Sequence, residues 1–379
     1  MKVATIIGTR PEVIRLSATI RRLDCVVDHI LIHTGQNYDF ELNELLFRDL
    51  QLRTPDHYLN AGSNTLGKTL AQILEKTEAV LLEVRPDAVL ILGDTNSALA
   101  AIIARRMHIP VYHMEAGNRC FDFNVPEELN RRIVDHIADF NLVYTEHARR
   151  HLLSEGLPHR SIYLTGSPMR EVLNGSCDGI AASRICNELG VRPGEYCVVS
   201  VHREENVDLR DNFEKVMEIL SGVRDTYGHE VLVSCHPRTR KRMVEFGRDE
   251  HSMPGVRFLK PFGFFDYLRL QRDAFITLSD SGTIAEESAI LGFPAVTLRQ
   301  AIERPEALDT GSIIITGLDA SVVINAIALA RAPFEHGRRP ECPTDYMIDN
   351  TSERVVNLIV GTARLARRWI GLDDGWFTY

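Results

Sequence analysis

Residues 1–17 read MKVATIIGTRPEVIRLS. Val3–Ile7 is a short, continuous apolar run, the form a strand takes when both faces of a parallel sheet are covered. Gly8 permits a tight turn, and Pro11 suits the first turn of a helix. The stretch reads as strand, turn, helix; it lacks the long apolar core of a leader peptide. The same order recurs downstream. Ile30–Thr34, Ala88–Leu92, Val111–Met114, Leu142–Thr145 and Ile162–Leu164 are strand candidates, most followed by a polar turn and a helix-period segment. Near Asn174–Ala182 the pattern breaks into NGSCDGIAA. A second series then begins with Tyr196–Val201, Val231–Ser234, Phe275–Leu278, Ala295–Leu298 and Ile313–Ile315. Such alternation predicts an α/β chain of two doubly wound parallel-sheet halves. The expected division is 1–170, 171–350 and a tail 351–379. The helix-periodic part of that tail, Thr351–Leu372, should pack back on the first half. Two such halves imply a cleft at the carboxyl ends of their strands, where ligands bind in sheets of this kind.

The totals narrow the function. The chain has 379 residues, enough for two domains, and a formal net charge of −9. That balance argues against nucleic acid or an anionic membrane surface as the main partner. The seven cysteines are scattered with no C-x-x-C. They form no zinc framework, and their odd count suits reduced thiols in the cytoplasm. No uninterrupted apolar stretch is long enough to span a bilayer, so no membrane insertion is expected.

The polar motifs fall just after the predicted strands. His113–Arg132, HMEAGNRCFDFNVPEELNRR, is the densest. Glu115 sits at a strand end, where an acid reads either as functional or as the partner of Arg119. Glu127 follows Pro126 at a helix start and shares a helix face with Arg131, four residues on. Asp94, in GDTNS (93–97), reads first as a helix cap and second as a carboxylate at the cleft mouth. Carboxylates crowded together shift one another's pKa and can supply one acid and one base at neutral pH. Arg10, in GTRPE (8–12), would project toward an anion at a helix N-terminus. His202, in HREEN (202–206), follows another strand and could serve a leaving phosphate. The basic run from His236 to Arg242 reads as a solvated helix start or a phosphate-facing turn. SDSGT (279–283) is the strongest phosphate signal: Ser281, Gly282 and Thr283 allow close approach to backbone N–H groups. Glu286, one turn into that helix, is placed for a ribose diol. A simple capping motif also fits this stretch.

Taken together, GTRPE, TGQNYD (34–39), GDTNS, HMEAGNR, PEELNRR, HREEN, HPRT (236–239), SDSG and ERPE (303–306) resemble, in identity and order, the non-hydrolysing UDP-N-acetylglucosamine 2-epimerases. The match covers nearly the whole chain. EAGNRCFD (115–122), NRRIVDHIAD (130–139), EGLPHRSIYLTGSPMREVL (155–173) and VHREENVD (201–208) look most like the UDP-N-acetyl-L-fucosamine synthases. Those enzymes invert C2 of UDP-2-acetamido-2,6-dideoxy-L-talose for capsule and O-antigen sugars.

The resemblance implies two Rossmann-like domains facing a cleft (the glycosyltransferase-B type), a homodimer, no metal and no cofactor. It implies Asp94, Glu115 and Glu127 as acid/base carboxylates, and Arg10 and His202 at the diphosphate. It implies phosphate contacts from Ser281, Gly282 and Thr283, and a ribose contact from Glu286. Arg131, His236 and Arg304 join the UDP-sugar site. Arg15 stands where the commoner epimerases have Lys. Arg keeps the charge but offers a planar donor set, which puts a simple proton-donating role there in doubt. The alternatives are the N-acetylglucosamine/N-acetylmannosamine branch, a UDP-sugar glycosyltransferase on the same fold, a hydrolysing epimerase and a non-catalytic sensor. A transferase needs an acceptor base but no C2 proton relay, so three carboxylates in the first half favour an epimerase.

Overall fold

In a computed structural model, which describes residues 1–35, 40–250 and 252–369, the chain divides into two units. The first comprises Met1–Gly175 and Asp345–Tyr379, the second Ser176–Thr344. In the first, β1 (Lys2–Ile7), β2 (Asp28–His33), β3 (His57–Tyr58), β4 (Ala88–Leu92), β5 (Val111–Ala116), β6 (Phe140–Val143) and β7 (Ile162–Leu164) form one sheet. Their order is β3-β2-β1-β4-β5-β6-β7, and every pairing is parallel. The apolar sequence AVLIL of β4 is buried at each position, as a central parallel strand requires. Val89, Ile91, Ile6 and Val111 pack with Ile73, Leu81 and Val134 from covering helices. Hydrogen bonds tie the helix Thr351–Trp369 to the rest of this unit. Thr351 Oγ1 donates to the Thr165 carbonyl (3.2 Å), Arg22 Nε to Ser352 Oγ (3.1 Å), and Tyr112 and Thr362 share a hydroxyl bond of 2.6 Å.

The second unit repeats the plan with β8 (Tyr196–Ser200), β9 (Glu230–Ser234), β10 (Val256–Leu259), β11 (Ile276–Ser279), β12 (Ala295–Thr297) and β13 (Ile314–Ile315). The order is β10-β9-β8-β11-β12-β13, again parallel throughout. The strand order reverses between β1 and β4 in the first sheet and between β8 and β11 in the second. These are the switch points where ligands bind in doubly wound sheets.

Several differences from the sequence reading have physical reasons. β3 and β10 are absent from the predicted set: β3 has two residues, and VRFL of β10 is buried only at alternate positions. Both lie at sheet edges, where a full apolar run is not needed. β6 ends at Val143 rather than Thr145, because Thr145 caps the next helix, its side chain accepting from Ala148 N–H at 3.3 Å. Of TGQNYD, residues 36–39 lie outside the described residues, as does the end of the predicted tail helix. Among the described residues no helix is long and apolar enough to cross a membrane.

Candidate active site

In the first unit three turns carry the chemistry, after β1, β4 and β5. The turn after β1 runs through Gly8 and Thr9 into the helix Arg10–Val26, where Arg10 is half-buried at the first position. Glu12 folds back beneath this turn. It accepts the N–H of Gly8 at 2.6 Å and of Thr9 at 3.3 Å, and also the Thr95 hydroxyl from the turn after β4. One buried carboxyl thus joins the two loops that flank the switch point. Burial pushes Glu12 up to about 7, against the pull of these hydrogen bonds.

After β4, Gly93 takes a left-handed φ of +72° and delivers Asp94. Asp94 is not the helix cap. Thr95 has that role, accepting from Ser97 N–H at 3.2 Å. Asp94 instead receives Arg131 Nε at 2.7 Å, and Asn130 Nδ2 donates to its carbonyl at 2.9 Å. The helix Pro126–Ile137, opened by Pro126, therefore braces the β4 turn.

Glu115 is the last residue but one of β5 and sits at a register shift between Met114 and Ala116, with φ +65°. A left-handed non-glycine residue at a bulge is uncommon, and such backbone is enriched at functional sites. Its carboxylate lies 3.5 Å from Arg15 Nε and accepts from Asn118 Nδ2 at 3.4 Å. Arg15 is 2% exposed, its guanidinium 5.7 Å from the Tyr144 ring centroid. The ion pair with Arg119 is not formed as the sequence suggested. Arg119 turns away, bonding Asp135 at 2.7 Å and Glu155 at 2.7 Å.

The adjacent acids Glu127 and Glu128 have different fates. Glu128 is wholly buried, accepting from Cys120 N–H at 3.0 Å, Arg131 Nη1 at 3.0 Å and Arg132 Nε at 3.2 Å. Burial opposes its ionisation, yet these donors hold it below the usual carboxylate range. Glu127 is half-buried one position earlier. From sequence Glu128 stood out only as the neighbour of Glu127, and Asp135 was not singled out. Asp135 accepts from Gly117 N–H (3.2 Å) and lies 2.9 Å from His113 Nδ1, while His113 Nε2 donates to the Gly93 carbonyl at 2.8 Å. This links the β4 and β5 turns to one helix. Gly117, at φ +82°, has no alternative: a Cβ there would sit 2.4 Å from the Ala148 carbonyl oxygen.

In the second unit the turns after β8 and β11 meet at Asp280. Ser281 and Thr283 share a hydroxyl bond at 3.0 Å at the start of the helix Ile284–Leu291. Gly282 is hemmed by Glu303 and Arg304, which a Cβ would approach to 2.6 and 3.0 Å. Arg304 donates to the Gly282 carbonyl and lies 3.4 Å from Glu286, whose carboxylate is wholly buried. The structure thus brings Gly282, Glu286 and Arg304 together under the SDSGT turn. His236 caps the helix Pro237–Glu245, its Nδ1 accepting from Arg238 N–H at 3.3 Å. The basic run that follows is matched by acids: Arg238 with Glu204 (2.7 Å), Arg240 with Glu250 (2.8 Å) and Arg242 with Asp208 (3.0 Å). Among the described residues no set of His, Cys, Asp and Glu side chains gathers as a metal-ligand cluster.

The two parallel sheets, with polar turns at the carboxyl ends of their strands, define an α/β protein of the glycosyltransferase-B kind. The sequence profile of the family described as UDP-N-acetylglucosamine 2-epimerase matches residues 21–360. The chain belongs to that family, whose members are isomerases. Its structure is similar to that of UDP-N-acetylglucosamine 2-epimerase from Rickettsia bellii, with TM-score 0.90 and 40% identity, over 98% of this chain and 99% of that one. It is similar also to the Methanocaldococcus jannaschii UDP-GlcNAc 2-epimerase solved with UDP-GlcNAc and UDP, with TM-score 0.89 and 34% identity, over 95% and 100%. A Pseudomonas aeruginosa relative, 29% identical over 86% of this chain and 91% of its own, is a UDP-2,3-diacetamido-2,3-dideoxy-D-glucuronate 2-epimerase.

Proposed function

We propose that the protein inverts C2 of a UDP-2-acetamido sugar by eliminating and re-adding UDP. The observation that carries this reading is the pair of carboxylates at the ends of adjacent strands, Asp94 braced by Arg131 and Glu115 held on a left-handed bulge. A C2–H bond is weakly acidic, so its cleavage needs a positioned base and a stabilised leaving group. In the proposed step one of Asp94, Glu115 and Glu127 takes the C2 proton. The C–H electrons form the C1=C2 bond, and the C1–O pair leaves with UDP, giving a 2-acetamidoglycal. Arg10 and His202 would neutralise the departing diphosphate; Ser281, Gly282, Thr283, His236 and Arg304 would bind UDP, and Glu286 its ribose. Re-addition of UDP with protonation of the opposite C2 face completes the inversion. No cofactor is required, since the carbon is neither oxidised nor reduced.

The finer reading is UDP-2-acetamido-2,6-dideoxy-L-talose as substrate, giving UDP-N-acetyl-L-fucosamine for capsule or O-antigen synthesis. The wording EAGNRCFD and the arginine at position 15, buried against Glu115, support it. A second reading, interconversion of UDP-N-acetylglucosamine and UDP-N-acetylmannosamine, is favoured by the names of the R. bellii and M. jannaschii relatives. Action as a homodimer in the cytoplasm is part of the same proposal. Incubating the protein with each sugar nucleotide in parallel, followed by proton NMR of the anomeric region, tests both. Inversion of the L-talose compound alone supports the finer reading, and inversion of UDP-N-acetylglucosamine alone transfers the assignment to the second. Release of free sugar, or transfer to an acceptor, sinks the proposal.

A further inference from the structure

At the switch point of the second sheet, Asp280 closes two loops onto one another. It leaves the end of β11 wholly buried, its own N–H donating to the Ser200 carbonyl of β8 at 3.1 Å. Its carboxylate accepts the backbone N–H of His202 at 3.1 Å and of Arg203 at 2.9 Å, and Asn206 Nδ2 at 3.0 Å. Arg203 Nε returns a bond to the Asp280 carbonyl at 3.1 Å. Those contacts would suffice for a structural clip. One more goes beyond it: His202 Nδ1 lies 3.1 Å from Asp280 Oδ1, while the imidazole side chain is half exposed.

We propose that Asp280 is a positioning residue that holds the His202 imidazole by its Nδ1 edge and turns Nε2 toward a phosphate group. The ligand is a nucleoside diphosphate, and in that respect the inference rests on the function proposed above. A carboxylate on one ring nitrogen fixes the tautomer and ring orientation and makes the other nitrogen a better base and, once protonated, a charged donor. The surroundings bear on the same balance. Desolvation disfavours the imidazolium, and Arg203 and Arg299 repel it; the Asp280 charge and hydrogen bond prevail and raise His202 above its ordinary 6.5. Arg299 and Arg203 are themselves drawn to Glu303, at 2.9 and 4.0 Å, which blunts their opposition. Asp280 is held down at about 2, burial being outweighed by His202, Arg203 and Asn206. The device parallels Glu12, which joins the loops at the first sheet's switch point; there the acid holds no imidazole.

The test is an NMR titration of the His202 ring in the full chain, its resonance assigned by loss in His202→Gln. Wild type should titrate above 6.5, and Asp280→Asn should lower the midpoint by about one pH unit or more. The basic limb of the kcat–pH profile should move with it. Asn206→Ala, which removes a clip contact but leaves the imidazole pair, should keep the midpoint. A wild-type midpoint at or below 6.5 overturns the proposal even if Asp280→Asn fails to fold. So does an unchanged midpoint in folded Asp280→Asn. If the titration behaves as expected but no sugar nucleotide is turned over, the epimerase reading fails and the positioning role stands.

Discussion

Replacing Glu12 by glutamine removes a charge equilibrium while keeping the shape of the β1–β4 junction. The glutamine carbonyl can still accept from Gly8 and Thr9, while its amide meets the Thr95 hydroxyl as a donor, the reverse of the wild-type bond in which Thr95 donates to Glu12. In wild type the folded carboxyl titrates near 7 against an ordinary 4.5, because burial outweighs its hydrogen bonds. A raised acid pKa means the folded state binds the proton more tightly than the unfolded chain. The resulting stability is fully present below pH 4.5 and is lost as pH rises through about 7. Between pH 5 and pH 8 that loss amounts to about 2–3 kcal/mol, from about 1.4 kcal/mol per pH unit of difference. Glu12→Gln carries no such dependence, so its stability relative to wild type should rise by this amount over the same range. The chain has two tryptophans, both after residue 350 in sequence, and Trp369 lies in the first unit. Urea unfolding followed by their fluorescence at pH 5, 6, 7 and 8 therefore reports on the right part of the chain. Parallel pH curves for the two proteins would refute a buried, proton-holding Glu12.

Other outcomes follow from the same geometry. Asp94→Asn, Glu115→Gln and Glu127→Gln should each lower turnover by about 10²–10⁴-fold while UDP affinity, read by calorimetry, changes little. Gly117→Ala places a Cβ 2.4 Å from the Ala148 carbonyl at φ +82° and should cost about 2–4 kcal/mol in urea unfolding. Asp135→Ala strands the wholly buried Arg119 with one fewer acid and strips the Gly117 N–H of its acceptor. A loss of about 3–5 kcal/mol is expected by the same assay.

Parallel strands were legible because burial on both faces demands unbroken apolar runs such as AVLIL of β4. The edge strands β3 and β10 escaped for the opposite reason: one is two residues long and the other is buried at every second position. The site's turns were legible because small residues and acids follow the strands at once. Their pairing was not, since which of two neighbouring acids turns inward depends on helix phase. Glu128 rather than Glu127 is buried, and its signal was present: Arg131 and Arg132 lie three and four residues on, the spacing that meets across a helix turn. Glu12 was equally visible in principle, three residues after Thr9 in a capping-box pattern. Its bond to Thr95 was not, because 83 residues separate the two and only the strand order β1-β4 makes them neighbours. Asp280 was hidden within SDSG, where the hydroxyl and glycine residues drew the phosphate reading.

In the proposed reaction C2 loses its proton to the enzyme while UDP departs. Running the reaction in D2O with the sugar nucleotide that is turned over, and reading C2 by NMR and mass spectrometry, tests it most directly. Deuterium should enter at C2 of the inverted product, one atom per inversion, and appear in recovered substrate as the reaction reverses. Inversion with the original hydrogen kept at C2 would rule out proton removal by elimination of UDP.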